Sequence, residues 1–255
     1  MAQIFALNPL VMFVVFAAFG LITYLLSLGA LAWFGRGAPV PVAAMPVPNF
    51  AATITTAWAL ALGFAAADIW NANSQARQAA AEERSAIARL VGISGSDMLG
   101  RPEMVNSLRA YKDAVAGQEW GQLRNARPHE SVDAAIESIR AELFAISLES
   151  TPDTLVAKIT EDFDQLQDAR SARLALGQGP RDDYKWYLVL FLTVLSQVAL
   201  AAVHADRRKG GRRALAIFSI AAAVSLWILA LHANPYVGVA RIDFEDPRGL
   251  PLPGA

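Results

Sequence analysis

Residues Phe50–Trp70 read FAATITTAWALALGFAAADIW, and Asn71–Leu90 follow without a break as NANSQARQAAAEERSAIARL. The first stretch is apolar and matches the ~20 residues a helix needs to cross the ~30 Å hydrocarbon core of a bilayer. The second is polar but rich in Ala, Gln, Glu and Arg, which are strong helix formers, and it holds neither Gly nor Pro. One helix is therefore expected to leave the bilayer and continue into water. Three more apolar runs, Leu7–Phe34, Tyr184–His204 and Ala214–His232, bring the number of spans to four. Backbone groups left unpaired in lipid are costly, so only helices or closed barrels cross it, and these runs lack the alternation of barrel strands.

The expected fold is all-α: a four-transmembrane-helix protein with a helical extramembrane domain between the second and third spans. Residues 1–70 hold the first two spans, 71–183 the domain, 184–232 the last two spans and 233–255 a C-terminal tail. Of the 255 residues 55% are hydrophobic, yet 18% are charged, which keeps a large part of the chain in water. The first apolar run has no basic leader and is too long for a signal peptide, so it reads as a retained helix. Ala38-Pro39-Val40-Pro41 and Met45-Pro46-Val47-Pro48 forbid helix and strap the first two spans together in extended form.

Inside the domain, Gly92-Ile93-Ser94-Gly95-Ser96 stops the long helix and Pro102 opens the next at its first position. Val105, Leu108, Tyr111 and Val115 then recur at helical spacing. After Arg127-Pro128 the stripe Val132, Ile136, Ile139, Leu143, Ile146 marks another helix, and Thr151-Pro152 reads as a cap and first position ahead of Leu155, Ile159 and Leu166. Gly177 and Gly179-Pro180 close the domain. Trp70, Tyr184, Trp186 and Tyr187 flank it and suit the lipid headgroup level.

Residues 71–183 carry 18 Asp/Glu against 13 Lys/Arg, a poor surface for nucleic acid. No cysteine is present, which excludes disulfides, thiolate metal sites and Cys nucleophiles. There is no nucleotide loop, zinc-ligand spacing or nucleophile elbow. His129, His204 and His232 stand far apart in the chain, and Glu82-Glu83-Arg84 and Glu161-Asp162 read as solvated helix faces. No catalytic residue, cofactor or metal is expected, and the protein does not read as an enzyme. Arg36 and the loop holding Arg207, Arg208, Lys209, Arg212 and Arg213 share one membrane face. By the excess of basic residues in cytoplasmic loops, that face is inside and the domain is non-cytoplasmic.

On the second span Ala52, Thr56, Leu60, Phe64 and Asp68 lie four residues apart along one face. In a ring of copies Thr56, Leu60 and Phe64 would line a hydrophobic neck and Asp68 would set a charge at one mouth. The alternative places Leu60 and Phe64 against lipid or neighbouring helices, with Asp68 an interfacial carboxylate beside Trp70. The same span is rich in small residues, among them Ala59, Gly63 and Ala67, which let helices approach closely and favour a homo-oligomer.

Leu62-Gly63-Phe64 followed by Ser74-Gln75-Ala76-Arg77 resembles a bestrophin pattern. With Asp68-Ile69-Trp70, Tyr111 to Val115, Glu119-Trp120 and Asn234-Pro235-Tyr236-Val237-Gly238, the whole chain is similar to a bacterial bestrophin-like family of unknown function. The resemblance implies a pentameric anion channel of the bacterial inner membrane whose second helix forms the neck. Aligned through Gly63-Phe64, the neck positions are again Thr56, Leu60 and Phe64. Gln75 replaces the usual acidic residue, and no acidic calcium clasp can be matched. The resemblance also implies a cytoplasmic domain, against the charge count. Two functions follow: an ion channel handling inorganic ions, or a non-conducting scaffold whose acidic domain binds a partner protein.

Overall fold

The computed structural model describes residues 5, 7–36, 48–178, 183–238 and 241–244. The proline-rich connector, Gly179-Pro180 and most of the tail lie outside them. The described residues are all-helical, with no strand among them. In chain order the helices are α1 (Pro9–Phe34), α2 (Pro48–Ser94), α3 (Pro102–Ala114), α4 (Glu130–Ser147), α5 (Asp153–Gly177), α6 (Asp183–Val203) and α7 (Arg208–Leu231). Four of them, α1, α2, α6 and α7, are long and apolar enough to cross a membrane. Helix α2 is unbroken over 47 residues, roughly 70 Å at 1.5 Å per residue and about twice a hydrocarbon core.

Two compact units emerge, one drawn from Met1–Asn71 and Pro180–Asn234, the other from Ala72–Gly179 and Pro235–Ala255. In the first, α1 packs along α7 and α6. Asn8 caps α1 by accepting from Leu10 N at 2.9 Å, with Pro9 at the first position. A Cβ on Gly20 would stand 3.0 Å from Ala223 Cβ, so α1 and α7 meet through a missing side chain. The core between them is built from Met12, Phe16, Val189, Leu226 and Leu229, with Trp186. Trp186 is thus not an interfacial anchor: it is buried with its ring 4.9 Å from Phe5, because its side of α6 faces the bundle. Gln197 pins the three helices. Its amide N donates to Thr23 and Ser219 Oγ atoms at 3.0 and 3.1 Å, and its oxygen accepts from Ser27 at 2.7 Å. A buried amide with all these bonds made can sit in an apolar bundle without an unpaired group.

The second unit buries the expected stripes: Leu108, Tyr111, Val132, Ile139, Ile159 and Leu166 share one core with Leu90 and Val91 of α2. Four local features differ from expectation. After Ala114 the helix widens into a π-helix, Val115–Gln122. Helix α5 starts at Asp153 with Pro152 as its cap, one residue later than Thr151-Pro152 suggested, because Pro152 has an extended ψ of 132°. Beyond Asn234, Phe244 joins the core of this unit and its carbonyl accepts from Arg84 at 3.3 Å. In the first unit, the basic segment is not a loop. Helix α7 begins at Arg208, so Arg208, Lys209, Arg212 and Arg213 are helical and the α6–α7 connection is only four residues.

Candidate functional site

Helix α2 turns one face to its own unit and leaves the other open. Trp58 fixes the inner face: its indole N–H donates to Thr193 Oγ1 at 2.9 Å and its ring lies 5.0 Å from Phe218. Ala51 and Ala65 are buried on the same side. Thr56, Leu60, Phe64 and Asp68 all lie on the open side, with Leu60 58% and Phe64 70% exposed. Ala59, Gly63 and Ala67 are open too, and a Cβ on Gly63 would meet nothing within 4 Å. Ala59, Gly63 and Ala67 are therefore left unpacked by the protomer, unlike Gly20. Asp68 is not a bare carboxylate: Lys185, two residues into α6, forms an ion pair with it, and both side chains remain about half exposed.

A second constellation lies inside the other unit. Arg173 of α5 is fully buried. Its Nε donates to Glu83 Oε2 at 2.6 Å, and Nη2 donates to Glu83 Oε1 at 3.0 Å and Glu119 Oε2 at 2.8 Å. Nη1 donates to Asn125. One turn away, Arg170 Nη2 bridges Glu119 at 2.6 Å and Asp133 at 2.7 Å. Tyr111 donates to Glu83 at 2.6 Å, and the Arg173 guanidinium lies 5.7 Å from the Trp120 ring centre. Trp120 meets Tyr236 edge-on at 5.0 Å. Burial pushes the Glu119 carboxyl up, but the Arg170 hydrogen bond and the Arg173 charge outweigh it and hold it below the usual range. Burial raises the Tyr111 phenol well above its ordinary value, and the Glu83 charge adds to this. Arg124 and Asn125 both have positive φ, 50° and 59°. The Asn125 backbone lies against Gly177, where a Cβ would stand 2.0 Å from Asn125 O. No group of three or more metal-ligating side chains occurs among the described residues.

The model of the bestrophin-like domain matches residues 46–245, most of the chain. The chain belongs to the bestrophin-like family. Three single-substitution variants of a bacterial bestrophin homologue from Klebsiella pneumoniae share its fold. They are 13%, 15% and 11% identical, with TM-scores of 0.65, 0.63 and 0.65, each over 91% of this chain and 93%, 94% and 92% of theirs. No curated protein matches the chain. Three of the short motifs that carry the bestrophin resemblance meet in one place: Tyr111, Glu119-Trp120 and Tyr236 lie around Arg173 and its partner Glu83, whereas Leu62-Gly63-Phe64 and Asp68-Ile69-Trp70 lie in the other unit.

This corrects two readings of the sequence. Glu83 and Asp162 are fully buried and not on solvated faces; Asp162 accepts from Arg89 at 2.7 Å. The signal was present. Stepping from Ile159 and Leu166 by three or four residues lands on Arg170 and Arg173, and stepping back from Leu90 and Ile87 lands on Glu83. Charged residues that continue an apolar stripe point into the core and must find each other there. Lys185 had no such signal, since only the approach of α6 to α2 pairs it with Asp68.

Proposed function

We propose that this bestrophin-like protein is an oligomeric ion channel of the bacterial inner membrane, with its neck formed by Thr56, Leu60 and Phe64 of α2. The observation that carries this reading is the open face of α2. In a membrane helix, a stripe of Thr, Leu and Phe that its own protomer leaves uncovered needs either lipid or further copies to cover it. The adjacent small residues Ala59, Gly63 and Ala67 favour copies, because they allow backbones to approach where hydrophobicity gives no drive. Packed by that flank, each copy turns Leu60 and Phe64 toward a common axis, where they form a constriction that gates by dewetting. Lys185 offsets Asp68 at the mouth. The ring then carries both signs, which removes the cation preference a bare Asp68 ring would impose. The passage of anions that the bestrophin resemblance implies meets no electrostatic objection there.

By the charge rule we place the basic end of α7 in the cytoplasm and residues 71–183, as the extramembrane domain, outside. Labelling a Ser150→Cys variant with a membrane-impermeant maleimide in intact cells tests this, since Ser150 is an exposed turn residue and the chain has no other cysteine. Labelling only after lysis places the domain inside.

Purified protein in planar bilayers is the decisive experiment. Wild type should conduct, Leu60→Ala with Phe64→Ala should raise conductance, Lys185→Gln should move the reversal potential toward cations, and Asp68→Asn should move it toward anions. Exposed apolar Met98, Phe144 and Leu148 on the second unit favour a second reading, a non-conducting scaffold that binds a partner protein. Silence from wild type and the double alanine variant alike selects it.

A further inference from the structure

We propose that the α6–α7 turn and the first two turns of α7 bind the phosphate headgroup of an anionic phospholipid. The start of α7 is electrostatically wrong when taken alone. Arg208, Lys209, Arg212 and Arg213 fall within its first six residues, no acidic residue occurs in the first turn, and Arg207 at the cap position gives no side-chain cap bond. Cations at a helix N-terminus oppose the helix dipole. Lys209 also faces Arg212 and Arg213 at three- and four-residue spacing, where like charges repel. The amides of Arg208, Lys209 and Gly210 precede the first backbone bond, which Gly211 N donates to Arg207 O at 2.9 Å.

Little inside the protein relieves this. Asp206 pairs with Arg207 at 3.3 Å. Arg208 donates to the Gly35 carbonyl at the end of α1. Lys209, Arg212 and Arg213 are exposed and have no ionic or hydrogen-bonding partner among the described residues. An anion seated here answers the dipole, the free amides and the mutual repulsion together. There is room for one: an open cavity of about 520 Å³ is lined by Gly35, by Ala205, Asp206 and Arg207 of the turn, and by Arg208, Lys209 and Gly210 at the start of α7.

The segments around it pack closely. A Cβ on Gly35 would stand 2.8 Å from the Arg208 guanidinium, and one on Gly211 would stand 2.8 Å from His204 Cβ. The position selects the anion. The cavity lies where the apolar stretches of α1 and α6 end, at Phe34 and Val203, and Trp33, two residues before Gly35 in the chain, is 75% exposed. That is the depth of lipid phosphates and of interfacial tryptophans. The inference does not depend on ion conduction.

Native mass spectrometry of the detergent-solubilised protein, titrated with phosphatidylglycerol or phosphatidylcholine, tests it. Wild type should prefer phosphatidylglycerol. At about fivefold per basic residue at an anionic headgroup, the triple variant Lys209→Gln, Arg212→Gln, Arg213→Gln should lose roughly 100-fold in affinity for it. Phosphatidylcholine binding should not change, and the preference should shrink in high salt. The charge-keeping pair Arg212→Lys, Arg213→Lys should retain the lipid. Equal binding of the two lipids by wild type, or an unchanged preference in the triple variant, overturns the proposal. Displacement of the lipid by equimolar inorganic phosphate also overturns it, in favour of a soluble anion.

Discussion

Arg173→Met should be the most damaging single change in the second unit. The substitution keeps a similar apolar length but removes four hydrogen bonds, two to Glu83, one to Glu119 and one to Asn125. Glu119 keeps Arg170, whereas Glu83 is left fully buried with Tyr111 as its neighbouring donor. Removing one partner of a buried ion pair costs about 3–5 kcal/mol, because the remaining charge is desolvated without compensation. For a unit of this size that is a drop of roughly 10–20 °C in its unfolding temperature. Adding Glu83→Gln should restore part of the loss, since the orphaned charge goes with it. Thermal melts of the four members of this double-mutant cycle in detergent, followed by circular dichroism, provide the measurement. A fall of under about 1 kcal/mol for Arg173→Met, or strictly additive effects, would refute the reasoning that these charges act as one buried unit.

Gly177→Ala should destabilise the same unit sharply, since its methyl carbon would stand 2.0 Å from the Asn125 carbonyl oxygen; a melt unchanged from wild type would show that the Arg124–Asn125 turn can move aside. Acid should weaken this unit, because the Glu119 carboxyl is held low: its stabilisation is complete above the unfolded value of about 4.3 and disappears as pH falls through the folded one. Alkali should weaken it from about pH 10 upward, because the Tyr111 phenol is held high and its stabilisation is complete only below the unfolded value. Tyr111→Phe should therefore cost about 1–2 kcal/mol at neutral pH yet flatten the alkaline limb, which melts across pH would resolve. Gly63→Leu meets open space within the protomer, so it should leave the monomer's melt unchanged while lowering the oligomer mass in mild detergent; an unaltered mass would remove α2 from the subunit contact.

Most helices were legible because their signals are local. Pro102 marks a start, Gly92-Ile93-Ser94-Gly95-Ser96 marks a stop, and the period of Val132 to Ile146 declares a buried face without reference to any other segment. The passage of α2 from apolar to polar composition without a helix breaker likewise needed only the chain itself. Boundaries moved where two local rules competed. Arg208–Arg213 looked like a loop because charge ended the apolar run, yet backbone hydrogen bonding carried the helix back through those residues to Arg208.

The sequence by itself determined that the fold is all-α, that four helices are apolar enough for a bilayer, and that α2 carries Thr56, Leu60, Phe64 and Asp68 on one face. Those are properties of periodicity and transfer free energy, and they do not depend on which segment meets which. Only the tertiary structure decided that this face is open, that Lys185 stands against Asp68, and that Glu83, Glu119, Arg170 and Arg173 neutralise one another out of water. Each of these is a meeting of residues dozens of positions apart. A carboxylate on a helix has the same local pattern whether water or a guanidinium awaits it; the packing of the helices makes the choice, through the cost of leaving a buried charge alone.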